Sequence, residues 1–152
     1  MRILGIDPGY GILGWSIIEK DFVMVQYGTI TTEKGMPLDD RLLDIHTGLK
    51  QLIETYHPQH VAMEKLFFSR NTTTALDVAK TIGVIILTLK QAGLDYCEYT
   101  PSQVKQAITG YGRASKEQMQ SMIKKLFKLE DIPRPDDAAD ALAVAACHSF
   151  RL

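Results

Sequence analysis

Arg2-Ile3-Leu4-Gly5-Ile6-Asp7-Pro8-Gly9-Tyr10-Gly11-Ile12-Leu13-Gly14-Trp15-Ser16-Ile17-Ile18 stands at the head of the chain, and its reading decides the fold. Arg2 to Asp7 reads as a buried strand that ends in an acid. Pro8-Gly9-Tyr10-Gly11 reads as a turn. Ile12 to Ile18 reads as a second strand and Phe22 to Thr31 as a third, because β-branched and aromatic residues dominate both. Short turns between three strands imply an antiparallel meander. One competing reading starts from Gly9-Tyr10-Gly11-Ile12-Leu13-Gly14, which matches the dinucleotide pattern G-x-G-x-x-G. That fingerprint needs a helix to begin there, so that its amino end holds a pyrophosphate. Trp15-Ser16-Ile17-Ile18 reads as a strand instead. The glycines therefore fit a hairpin turn that keeps the space beside Asp7 open.

Beyond the meander, Leu38, Leu42, Ile45, Leu49, Leu52 and Tyr56 recur at helical spacing and predict a helix from about Pro37 to Tyr56. Pro58 ends it, and His60 to Met63 forms a strand running into Glu64. Asn71 to Gln91 predicts a second long helix, apolar on more than one face and so buried on several sides. One of those sides is open to a second subunit. Asp95 to Tyr99 reads as a last strand. Thr100-Pro101-Ser102-Gln103 and Ser115-Lys116-Glu117-Gln118 are capping boxes. The second starts a helix to about Lys128. Pro133 and Pro135 precede a final helix from Asp136 or Asp137 to Phe150. The sum is a mixed-sheet α/β layered domain spanning residues 1–152 as one unit.

The chain has 152 residues, 45% hydrophobic and 23% charged, the size and balance of one soluble domain. No apolar run approaches the roughly 20 residues of a membrane span, and the amino end lacks the pattern of a signal peptide. Two isolated cysteines, Cys97 and Cys147, argue against a cysteine zinc site or a disulfide framework and suit a cytoplasmic location. Net charge is −1, but Ser102 to Lys128 holds six bases and one acid, a local +5. Such a segment is either the footprint of a polyanion or a solvated helix face.

Four acids carry the chemistry. Asp7 and Glu64 end the first and fourth strands. If those strands are parallel neighbours, both carboxylates emerge at one edge of the sheet, where open α/β sheets place their sites. Asp137 and Asp140, three apart on a helix, share a face. Ala138, Ala139, Ala141 and Ala143 would let that helix come close to the sheet. Asp136 with Asp140 also shares a face, at a spacing of four. Taken singly, an acid before Pro-Gly is a turn residue, and an acid at a helix start is a cap or complements the dipole. As a converging set they suit divalent metal and in-line cleavage of a phosphodiester.

The pattern resembles the RuvC family of bacterial Holliday-junction resolvases. The resemblance rests on Gly5-Ile6-Asp7-Pro8-Gly9, Met63-Glu64-x-x-Phe67, Pro101-Ser102-x-Val104-Lys105, Gly110-x-Gly112-x-Ala114-x-Lys116-x-Gln118 and Asp137-Ala138-Ala139-Asp140-Ala141-Leu142-Ala143. It runs from Arg2 to His148. It implies a ribonuclease H-like fold with a mixed five-stranded sheet flanked by helices. It implies paired, Mg2+-dependent nicking of strands of like polarity at a four-way junction, in homologous recombination and DNA repair. Asp7, Glu64, Asp137 and Asp140 match the family's metal-binding catalytic acids, with two Mg2+ per site and Mn2+ as an alternative. Asp137 rather than Asp136 follows from the register of the Asp-Ala-Ala-Asp run. Lys105 and Lys116 match the family's active-site lysines, and Phe67 its aromatic against unstacked bases. The helix from Asn71 matches the homodimer helix. A RuvA–RuvB branch-migration complex is the implied partner.

Lys116 falls in the first turn of its helix, where a cation opposes the dipole unless a phosphate is near. It is otherwise an ordinary exposed lysine. Phe67-Phe68 is either core or a stacking platform; stacking on an unpaired base would contribute about 1–3 kcal/mol. Arg70 and Arg113 read as phosphate contacts. His46, His57, His60 and His148 lack metal-ligand spacing and read as structural. Two other classes compete. An actin-like ATP-binding protein shares the strand-Asp-glycine start but needs a second phosphate loop and a larger chain. An inactive nucleic-acid-binding module has no use for four acids, which repel phosphate unless a metal lies between.

Overall fold

Five strands form one mixed sheet in the order β3-β2-β1-β4-β5 in the computed structural model, which describes residues 1–66 and 72–152. The strands are β1 (Arg2–Pro8), β2 (Ile12–Glu19), β3 (Val23–Thr31), β4 (His60–Glu64) and β5 (Cys97–Tyr99). β1, β2 and β3 are antiparallel, as their short turns dictate, whereas β4 and β5 run parallel to β1. The helices are α1 (Leu38–Tyr56), α2 (Thr72–Gln91), α3 (Pro101–Thr109), α4 (Lys116–Leu126) and α5 (Asp136–Ser149). The predicted order of elements holds throughout the described residues. Phe67 and Arg70 lie outside the described residues.

Residues of a strand alternate between faces, and the two faces build two cores. Leu4, Ile6, Val61 and Met63 pack against Ile45 and Leu49 of α1 and Ile85 and Leu89 of α2. Ile3 and Ala62 pack on the other side with Val104 and Ile108 of α3, Ile123 of α4 and Leu142 to Cys147 of α5. Each large side chain among these contributes about 1.5–3 kcal/mol by leaving water. The period of two then fixes the chemistry. Asp7 follows Ile3 and Gly5 on the α5 face, and Glu64 follows Ala62 there.

Two boundaries differ from the sequence reading by two residues. α4 ends at Leu126 rather than near Lys128, because Lys128 takes a left-handed conformation (φ 53°) and the chain turns back, with Leu129 N–H donating to the Lys124 carbonyl. β5 is shorter than Asp95 to Tyr99, since only Cys97 to Tyr99 pair with β4. Both capping boxes form as the sequence requires, Thr100 with Gln103 and Ser115 with Gln118. Both cysteines are free thiols. None of the described helices is long and apolar enough to cross a membrane.

Candidate active site

The chain runs β1-β2-β3 to one side of β1 and returns with β4 and β5 on the other. The carboxyl ends of β1 and β4 therefore flank a topological switch point, the position where open α/β sheets bind ligands. Ile6 pairs with Met63 in the parallel ladder, so the next residues, Asp7 and Glu64, stand side by side.

α5 brings the other two acids, and two glycines set how close it comes. A β-carbon on Gly5 would stand 2.2 Å from the Ala141 carbonyl oxygen; one on Gly14 would stand 2.0 Å from the carbonyl oxygen of Asp137. Gly14 pairs across the ladder with Asp7, so the first turn of α5 rests directly beside that acid. Ser16, opposite Gly5, donates its hydroxyl to the Ala141 carbonyl at 2.8 Å and pins the helix one turn further on. The sequence reading credited the alanines of α5 with this approach. Gly5, Gly14 and Ser16 share the task, and their signal was glycine inside a strand pattern, which often marks a close backbone approach.

Burial shapes the electrostatics. Asp7 is buried, and desolvation together with the neighbouring Glu64, Asp140 and Asp137 carboxylates holds its pKa far above the usual carboxylate range. Asp140 has one open side, but the protein wall behind it and the neighbouring Glu64 push its pKa up to about 6. Asp136 and Asp137 part company. Asp136 is exposed and takes an ion pair from Lys116 and a hydrogen bond from the Gln120 amide at 3.3 Å. Asp137 is half-buried and acts on Asp7. The Lys116 hydrogen bond lowers the pKa of Asp136, and the same contact raises that of Lys116.

A cleft of about 250 Å3 opens in front of this set, lined by Glu64, Asp140, Lys105, Lys116 and Gln120 among others. Asp7 and Asp137 sit beside Gly14, outside that lining. Arg113 is exposed on the loop before α4 and is not part of the cleft wall. Lys65 is exposed. The histidines serve the scaffold. His46 bonds to Thr88, and His148 links His60 to the Tyr99 hydroxyl. His57 caps α1.

The donors suit a divalent cation in kind. They are hard carboxylate oxygens, and among the described residues none of Asp7, Glu64, Asp137 and Asp140 has a lysine or arginine within ion-pair distance. As the side chains stand, no group of three or more His, Cys, Asp or Glu among the described residues is arranged to hold one ion. Closing a coordination sphere would take side-chain rotation, with the backbones already in place.

This mixed sheet, with acids at its switch point, has the ribonuclease H-like architecture. A family model described as "Crossover junction endodeoxyribonuclease RuvC" matches residues 3–148. Proteins of that name from Brevibacillus brevis and Petrotoga mobilis are 51% and 53% identical to this chain, over 98% and 99% of it and 92% and 95% of their own lengths. The solved structure of Thermus thermophilus RuvC in complex with a Holliday junction substrate superposes with a TM-score of 0.94 at 32% identity, covering 99% of this chain and 94% of that one. The chain belongs to the RuvC family of crossover junction endodeoxyribonucleases, enzymes that depend on divalent metal.

Proposed function

We propose that this chain, as one domain over residues 1–152, resolves Holliday junctions by Mg2+-dependent paired nicking of strands of like polarity, in recombination and repair in the cytoplasm. The observation that carries the reading is the convergence of Asp7, Glu64 and the α5 acids at one sheet edge, in a chain about half identical to named relatives.

Asp7, Glu64, Asp137 and Asp140 would hold two Mg2+ ions, with Mn2+ as an alternative. When bound, such ions supply an activated water and charge stabilisation at the leaving oxygen. The chain's own groups do the rest. Lys116, at the amino end of α4, exchanges Asp136 for the scissile phosphate. Lys105, on the same cleft wall, meets a neighbouring phosphate oxygen. Arg113, exposed outside the cleft, and Arg70 contact the DNA backbone, and Phe67 stacks on an unpaired base at the crossover.

Paired nicks need two sites, which a homodimer through α2 supplies. Leu76, Ala79, Gly83 and Leu87 recur at spacings of three and four and are exposed, Leu76 by 70% and Leu87 by 57%. An apolar stripe with small residues at its centre suits a second helix. The RuvA–RuvB branch-migration complex is the further partner, on the family's pattern.

The test is a synthetic four-way junction incubated with and without Mg2+. Paired nicks should appear only with metal, and Asp7→Asn should bind the junction without cutting it. Robust cutting by that variant would sink the mechanism.

A further inference from the structure

The basic wall of the cleft continues past Lys116. Lys116, Gln120 and Lys124 follow at four-residue steps along α4, so they are neighbours on one side of the helix. Lys116 and Gln120 line the cleft. Lys124 lines a second cavity, of about 480 Å3, together with Tyr27 of β3, Asp131, Ile132 and Arg134. Asp136 links residues of the two walls: Lys116 and Gln120 of the first hold it, and the charge of Arg134 of the second acts on it.

Lys124 and Arg134 are both exposed. Among the described residues neither lies within ion-pair distance of a carboxylate, Asp131 in the same cavity included. An ammonium, a guanidinium fork and a phenol hydroxyl around one concavity suit a phosphodiester, since both cations only donate and the fork matches phosphate oxygens. Spacing sets which phosphate. Eight residues of helix advance about 12 Å. A DNA strand places one phosphate per roughly 3.4 Å of axis. The winding of the strand makes the direct separation larger than this axial rise, so the second cavity is at most about three nucleotides from the first along one strand.

We infer that Lys124 and Arg134 form a second phosphate subsite, which grips the cut strand within about three nucleotides of the scissile bond. The subsite rests on the reading of the cleft as the nuclease site. It makes α4 a ruler, with one end at the reaction and the other on the flanking backbone. Lys125 and Lys128 give the contrast. They are equally exposed and equally charged, yet line neither cavity, and Lys125 is turned about 100° from Lys124 around the helix.

The experiment compares the full-length protein with Lys124→Ala/Arg134→Ala and with Lys125→Ala/Lys128→Ala, two variants that each remove two positive charges. Binding to a labelled four-way junction is measured in EDTA over a series of salt concentrations. The subsite pair should lose about 10-fold in affinity and flatten the salt slope by about two, the loss of two phosphate contacts. The contrast pair should change affinity less than about twofold. A junction with a neutral methylphosphonate at the second or third linkage from the cut should weaken wild-type binding and have no further effect on the subsite variant. Equal losses in the two pairs, or a methylphosphonate penalty that persists in the subsite variant, would overturn the subsite. Cleavage at saturating junction with Mg2+ separates the two readings. The subsite variant should still cut, and a wild-type protein that does not cut would remove the nuclease reading itself.

Discussion

The carbonyl of Asp137 occupies the space a β-carbon would need on Gly14, and Gly14 is the ladder partner of Asp7. A strand glycine thus sets the distance between acids from two different elements. Gly14→Ala must push the amino end of α5 outward. Overpacking of this kind costs about 1–3 kcal/mol, whereas misplacing a catalytic group by about 1 Å costs on the order of 100-fold in rate. The expected outcome is a modest fall in the urea midpoint and a much larger fall in single-turnover cleavage. A variant as active as the wild type would show that the contact does not set the site.

Metal and pH should act on stability together. Burial holds the Asp7 proton well above its unfolded pKa of 3.8. The metal-free folded state therefore binds more protons than the unfolded chain once the pH exceeds about 4, and stability falls as pH rises. Asp140, raised to about 6, adds to the fall between about 4 and 6. The buried Asp7 contributes a slope of up to about 1.4 kcal/mol per pH unit, and the exposed Asp140 less, because solvent screens it. Thermal melts in EDTA should show Tm falling from pH 5 to 8. Mg2+ should restore it, and by more at pH 8 than at pH 6. Asp7→Asn should flatten the metal-free profile; an unchanged profile would mean that Asp7 is ionised without metal.

Asp136 competes with DNA for Lys116, since the two form an exposed ion pair at the cleft. Asp136→Ala should tighten junction binding about 2- to 5-fold, the scale of a surface ion pair, and leave the cleavage rate at saturation nearly unchanged. Lys116→Ala should lower that rate by about 100-fold. Filter binding and single-turnover kinetics separate the two effects. A rate loss in Asp136→Ala as large as in Lys116→Ala would place Asp136 among the reacting groups.

The α2 stripe makes oligomeric state measurable. Leu76→Glu/Leu87→Glu places two charges on the exposed apolar face without touching Ile85 or Leu89 in the core. Sedimentation at micromolar concentration should shift from two chains to one, with the thermal transition of the monomer retained. A wild-type mass near one chain would remove the dimer.

Much of this was legible in the chain itself. Alternation placed Asp7 and Glu64 at strand ends, and the capping boxes placed Lys116 on its helix. What could not be read is what depends on contact between distant segments. Gly5 and Gly14 stand inside strand patterns, and what comes close to them is not legible until α5 lies across them. Asp136 and Asp137 share a face with Asp140 at spacings of four and three, and only the rotation of α5 sends one to Lys116 and the other toward Asp7. Lys128 carries no breaker signal, yet its left-handed turn ends α4 early.

The two notches at Gly5 and Gly14 also work as an index. They fix the phase and the axial position of α5 against the sheet, as teeth fix a rack. Added or lost residues between α4 and α5 cannot advance the helix by one position, because that would turn it about 100° and drive side chains into the notches. Length changes there must be absorbed in the loop. The loop that carries Arg134 can thereby change length while the acids stay in register.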